Sequence, residues 1–293
     1  MKIIRAEHLG MCFGVRDAIE LAQAYAEAGP LTILGDLVHN ETVLAELRAR
    51  GITIEQEAAR AKTPTVMVTA HGASVRALER TRALRLNIVE ATCPLVQVAH
   101  QAVAKLVRDG FHPVIIGQPG HVEVRGLTED LVEFDVVSGE EDVLQLRERK
   151  QLGIAAQTTQ PIDKVRHLVG LIRRRFLNSE VRFIDTVCQP TKQRQNAAIE
   201  LAQRSDVVIV IGGAHSNNTR ELVCTSSRYC QQVHHVQTAR DLRPDWLVGA
   251  NTVGLTAGTS TPDSVIHEVE QTLRGWAASQ DARSSPLVHS SHL

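Results

Sequence analysis

The chain has 293 residues, 43% hydrophobic and 22% charged, with a net charge of −1 at pH 7, so it has ample core for about two domains, with one or three allowed. No Lys/Arg run reads as a nucleic-acid patch, no apolar run reaches the roughly 18 residues of a membrane span, and MKIIRAEHLG lacks the apolar centre of a signal peptide. The expectation is a cytoplasmic protein with reduced thiols that binds neither nucleic acid nor membrane.

In chain order, the first predicted element is a strand in KIIRAE, which leads to Cys12 at the head of a helix. Val15, Ala18, Ile19 and Ala22 keep the spacing of one helical face. LTILGDLVHN then reads as a strand with a polar loop, GITIEQ as a strand, and VMVTAHGAS as a strand closed by small polar residues. NIVEATC brings a further strand to Cys93. Pro94 suits a first helical position, and Val96, Ala99, Val103 and Leu106 share a face. The pattern returns in PVIIGQPGHVE, LVEFDVV and LGIAAQTTQ, and VRFIDTVC ends at Cys188, ahead of the helical QPTKQRQNAAIELAQRS. It returns again in VVIVIGGAHSNN, QQVHHVQT and TVGLTAGTS, after which VIHEVEQTLRGW has no strand behind it.

This is a threefold internal repeat of about 80 to 95 residues, the spacing from Cys12 to Cys93 and from Cys93 to Cys188. Strands alternating with helical patterns predict an α/β fold of mostly parallel sheets covered by helices, in three pseudo-threefold-related units around a central site. The units are residues 13–93, 94–186 and 187–275, the last completed by the N-terminal segment 1–12; residues 276–293, polar and Ser-rich, are expected as a disordered tail.

In parallel sheets, ligands bind beyond the carboxyl ends of the strands. Three units would aim Cys12, Cys93 and Cys188 at one centre. A single cysteine is more often simply buried, but equivalent places in three repeats favour a site. Three thiolates could hold zinc, which wants a fourth ligand or a water, or an iron–sulfur cluster with one iron left open. A helix starting at each cysteine is expected to favour the thiolate through its dipole. Cys224 and Cys230 have no repeat equivalents and read as structural.

The loops add a second constellation. Counted from the cysteine of each unit, His39, His121 and Ser216 stand at +27, +28 and +28, and His71, Thr158 and Ser260 at +59, +65 and +72. With Asn217 and Asn218 they offer neutral donors that suit an oxygen-rich anion such as a diphosphate. Glu123 is the carboxylate close to this set; in a closed pocket it could act as an acid, though a Glu two residues after a His is more often solvated. No P-loop and no G-x-G-x-x-G is present, so ordinary nucleotide sites are not supported.

The chain resembles the 4-hydroxy-3-methylbut-2-enyl diphosphate reductase (IspH/LytB) family over about residues 2 to 275. The resemblance rests on CFGV, VHN, AHG, ATCP, GHVEV, QTT, the Cys188 segment, HSNNTREL and AGTSTPD, in that order. It implies a trefoil-like arrangement of the three units and one 4Fe–4S cluster per chain on Cys12, Cys93 and Cys188, with one iron lacking a protein ligand. It implies reductive removal of an allylic hydroxyl, giving isopentenyl and dimethylallyl diphosphates as the last step of the non-mevalonate isoprenoid pathway. By position, His39, His71, His121, Thr158, Ser216, Asn217, Asn218 and Ser260 match substrate-binding residues, Thr158 also the proton path, and Glu123 the proton donor. A ferredoxin or flavodoxin would supply electrons, and a monomer is expected.

The sequence departs from the family pattern at Phe13, Gln118, Asn217 and after the Thr pair in QTTQP, departures that bear on affinity and rate more than on reaction type. The rival readings are a quinolinate-synthase-like open-iron dehydratase, which would want more basic loops for a dicarboxylate, and a non-catalytic Fe–S sensor, which would not need Glu123.

Overall fold

The computed structural model describes residues 1–284. Strands and helices are numbered along the chain. One four-stranded sheet has the order β3 (Thr53–Glu55), β2 (Leu31–Leu34), β4 (Thr65–Val68), β5 (Asn87–Glu90). A second runs β7 (Asp135–Val137), β6 (His112–Ile116), β8 (Gln151–Ala156), β9 (Glu180–Phe183). The third runs β11 (Gln232–Val236), β10 (Val207–Ile211), β12 (Thr252–Ala257), β1 (Lys2–Arg5). Every pairing is parallel. The order is the same each time, and β1, the first strand of the chain, takes beside β12 the place that β5 and β9 take in the other two sheets.

The central strands are apolar along their length because both faces are covered. Val207, Ile209 and Ile211 of β10 pack with Val265, Ile266, Val269 and Leu273 of α10 (Asp263–Ser284). The alternate residues Val208 and Val210 pack with Ala197, Ala198 and Leu201 of α8 (Gln189–Ala202) and Leu222 of α9 (Asn217–Ser226). The second sheet repeats the division. Val114, Ile116, Leu152 and Ile154 meet Val165, Leu168, Val169 and Ile172 of α7 (Ile162–Arg175). Ile115 and Ala155 meet Ala99, Val103 and Leu106 of α4 (Pro94–Arg108) and Val124 and Leu127 of α5 (Val122–Thr128). Each fully buried Val, Ile or Leu contributes roughly 1.5–3 kcal/mol, so these two-sided strands anchor the loops at their ends.

Glycines at matching places let a helix lie close on two of these sheets. A Cβ at Gly153 in β8 would lie 2.8 Å from the Phe111 Cβ and 3.0 Å from the Leu106 Cβ, and one at Gly254 in β12 would lie 2.8 Å from the Leu201 Cγ.

The chain divides into two compact units, residues 12–192 with the first two sheets, and residues 1–11 with 193–293, whose described part holds the third sheet. The disordered tail expected from residue 276 is corrected in part. Helix α10 continues to Ser284, with Ala277 buried and Trp276 packed against the core; residues 285–293 lie outside the described residues. Among the described residues no helix is long and apolar enough to cross a membrane.

Candidate active site

Each cysteine stands where a strand has ended and a helix begins. Cys12 is the N-cap of α1 (Phe13–Ala28), Cys93 is the N-cap of α4, and Cys188 directly precedes α8. The carbonyl of Cys93 accepts from the amides of Val96 and Gln97, and that of Cys188 from Thr191 and Lys192. Their own amides donate back to the neighbouring strand's loop, Cys93 to the Ala70 carbonyl at 3.1 Å and Cys188 to the Thr158 carbonyl at 3.0 Å. The cysteines are thereby fastened to the loops that carry His71 and Thr158. All three thiols are free and half-buried.

Burial raises the Cys93 thiol above its ordinary value, and burial pushes the Cys188 thiol up to about 11. Neighbouring Cys12 and Glu123 add to both shifts, and Thr191, whose Oγ1 lies 3.1 Å from the Cys188 Sγ, holds the second back. The helix starts are where the sequence puts them, but the expectation that they favour thiolates is corrected for Cys93 and Cys188. Desolvation outweighs the hydrogen bonds from the helix-start residues, Leu95 and Val96 for Cys93 and Thr191 for Cys188, so these thiols keep their protons at neutral pH.

Sequence reasoning missed Gly14. A Cβ there would overlap the Cys93 Sγ, so only glycine lets α1 begin beside that sulfur. Alanine is normally better than glycine in a helix by about 1 kcal/mol. Gly14→Ala is nevertheless expected to lower metal content after anaerobic purification, measured as iron per chain, with the far-ultraviolet helix signal unchanged.

His39, His71 and His121 form one cluster. Ring centroids are 4.3 Å apart for His39 and His71, 5.2 Å for His39 and His121, and 5.8 Å for His71 and His121. Asn40, next to His39, caps α2 (Glu41–Ala49) by accepting from the amides of Thr42 and Val43. His121 caps α5 itself: its Nδ1 accepts from the Glu123 amide at 3.1 Å, which leaves the proton on Nε2. Burial, then the nearby His39 and His121, hold His71 well below the usual imidazole range, so it is neutral at pH 7.

Glu123 is 2% exposed. Its Oε1 accepts from the Thr158 amide at 2.6 Å and its Oε2 from the Thr158 hydroxyl at 3.0 Å. Burial raises its carboxyl to about 7 against the opposing effect of these two bonds. A carboxyl with that value, sitting within electrostatic reach of Cys93 and Cys188, can hold or release a proton at neutral pH.

Ser216, Asn217, Asn218 and Ser260 belong to the other compact unit and are all buried there. Ser216 caps α9 by accepting from the Thr219 amide at 3.3 Å, and the Asn218 Oδ1 accepts from the Thr259 amide at 3.0 Å. The loops after β10 and β12 are thus tied together. Of the departing residues, Phe13 and Gln118 are exposed and Asn217 is buried. Cys230 is buried against the carbonyls of Ser205 and Asp206, as a structural cysteine should be, but Cys224 is exposed and supports no core.

The sequence profile of the LytB protein family matches residues 3–274. The chain belongs to the LytB family. The relative from Aquifex aeolicus, a 4-hydroxy-3-methylbut-2-enyl diphosphate reductase, is 36% identical over 278 residues, covering 93% of this chain and 96% of its own. A reductase of the same name from Geobacter metallireducens is 35% identical, covering 94% and 97%. Two solved structures are similar in fold. The E-1-hydroxy-2-methyl-but-2-enyl-4-diphosphate reductase of Plasmodium falciparum superposes with a TM-score of 0.88 at 24% identity, over 97% of this chain and 99% of that one. A (E)-4-hydroxy-3-methyl-but-2-enyl diphosphate reductase, described as the terminal enzyme of the non-mevalonate pathway, has a TM-score of 0.67 at 35% identity, over 94% and 100%.

Proposed function

We propose that this chain reduces 4-hydroxy-3-methylbut-2-enyl diphosphate, releasing the allylic hydroxyl as water and giving isopentenyl and dimethylallyl diphosphates. The observation that carries the reading is the buried Glu123–Thr158 pair, titrating near 7 within electrostatic reach of the thiols Cys93 and Cys188.

The donor set fits an iron–sulfur cluster. Three free thiols lie at helix starts, and Cys12 bears electrostatically on both other thiols. Yet among the described residues no three His, Cys, Asp or Glu side chains gather around one point as a single ion requires. A cluster sets a separate iron against each thiol and so suits a wider spacing than zinc does. Cys12, Cys93 and Cys188 would hold one 4Fe–4S cluster, leaving one iron without a protein ligand. Bound there, it would pass on the two reducing electrons one at a time as the external donor supplies them, and would lend Lewis acidity toward the hydroxyl.

The remaining work falls to the chain's own side chains. Glu123, neutral below about pH 7, holds a proton against Thr158. With Glu123 protonated, the Thr158 Oγ can accept that proton while turning its own hydrogen toward the leaving hydroxyl, so the two act as a relay. The reaction consumes two electrons and two protons: one proton leaves in water, and one completes the new C–H bond. His39, His71 and His121 offer ring N–H donors to the diphosphate. Ser216, Asn217, Asn218 and Ser260 are assigned to the same anion by their repeat positions. A ferredoxin- or flavodoxin-type protein is the proposed electron source, and a monomer the proposed state.

The test is anaerobic. Purified protein with reduced viologen dye should oxidise the dye only when the hydroxylated diphosphate is added, with five-carbon diphosphates as products. No oxidation by protein with an intact cluster spectrum would overturn the assignment.

A further inference from the structure

The loop after β2 carries a carboxylate where an anion-binding site ought to avoid one. Gly35, at φ +89°, turns the chain, and Asp36 follows, with its neighbours Leu37 and Val38 fully buried. The Leu37 carbonyl accepts from the Ala70 amide at 3.4 Å, which stitches this loop to the one carrying His71. Asp36 is therefore held in place by packing on one side and a main-chain bond on the other.

From there it touches both stacked histidines. Its Oδ2 lies 3.9 Å from the His39 Nδ1, and its main-chain carbonyl accepts a hydrogen bond from the His71 ring. The His39 side chain is 18% exposed and that of Asp36 38%, so the pair is only partly screened by water. Three imidazoles with centroids 4.3 to 5.8 Å apart repel one another when charged. A carboxylate beside the first ring offsets that repulsion.

We propose that Asp36 is a positioning residue for diphosphate binding: its carboxylate is the counter-ion of His39 and its carbonyl orients His71, so the cluster meets the anion with a charge-assisted donor. This rests on the diphosphate reading above. The proposal has a definite sign. An isolated carboxylate near the site would repel the diphosphate, and removing its charge would tighten binding. A counter-ion does the opposite, because it favours the protonated His39 ring that would meet the anion.

Asp36→Asn keeps the size and the main-chain carbonyl and removes the charge; Asp36→Glu restores it. Holoenzyme of each is purified anaerobically, and KM, kcat and the dissociation constant of inorganic diphosphate by calorimetry are measured. Asp36→Asn is expected to raise KM and that dissociation constant about threefold to tenfold, with kcat and cluster absorbance unchanged. Asp36→Glu should return most of the loss. Unchanged or tighter diphosphate binding in Asp36→Asn overturns the proposal. So does cluster loss, or a fall in kcat with KM unchanged, since either makes the residue merely structural. If the wild type fails to reduce the substrate, the reductase reading falls, and the calorimetric comparison with inorganic diphosphate still decides the role of Asp36.

Discussion

Glu123→Gln is expected to lower turnover by about 10²- to 10⁴-fold, the range of a lost general acid, with iron content and cluster absorbance at wild-type levels. Glutamine keeps an acceptor for the Thr158 amide and presents a donor to the Thr158 hydroxyl, so the geometry survives and the transferable proton does not. The wild-type pH profile should follow the same group. Glu123 titrates near 7, so the acid form, and with it kcat, declines as pH rises through that value.

The stability of the variant should move opposite to its activity. The folded carboxyl is raised above its ordinary value, so the folded state is favoured most when Glu123 is protonated. That advantage is complete below the unfolded value near 4.5 and is lost as pH climbs toward 7, a cost of about 3 kcal/mol at 1.36 kcal/mol per unit. Cluster-free Glu123→Gln should therefore melt higher than cluster-free wild type at pH 8 and level with it near pH 4.5. A variant both less active and more stable cannot be explained by misfolding. Equal turnover in Glu123→Gln and wild type would remove Glu123 from the mechanism.

The second large effect separates the cysteines. Cys93→Ser should lose most of its iron and visible absorbance, whereas Cys224→Ser should keep both. Cys93 caps α4 within the influence of Cys12 and Glu123, while Cys224 is exposed on α9 in the other compact unit. Iron per chain, measured after anaerobic reconstitution of the two variants side by side, decides it. Equal loss in both would undo the ligand assignment.

Much of the fold was legible because its central strands are buried on both faces. A run such as VVIVI between polar loops has few other readings, and three such runs at matching intervals exposed the repeat. The place of β1 beside β12 could be read in the same way, since the third unit lacked a final strand. Short helices were not legible. Seven-residue α5 has no periodicity to show, and its cap, His121, is not a usual capping residue. The start of the tail misled because its composition is polar, whereas helix α10 runs on to Ser284, with Trp276 and Ala277 packing against the core.

The sequence by itself determined the repeat, the strand ends and the residue types that stand there, because these depend on local hydrophobic pattern and on spacing within one unit. Tertiary structure decided what those residues experience. Thr158 meets Glu123 across 35 positions of sequence, Gly14 makes room for a sulfur 79 positions away, and Asp36 reaches His71 from another loop. It also decided that Cys93 and Cys188 are held as neutral thiols despite their helix starts. Desolvation depends on everything packed around a group, and no window of sequence contains that sum.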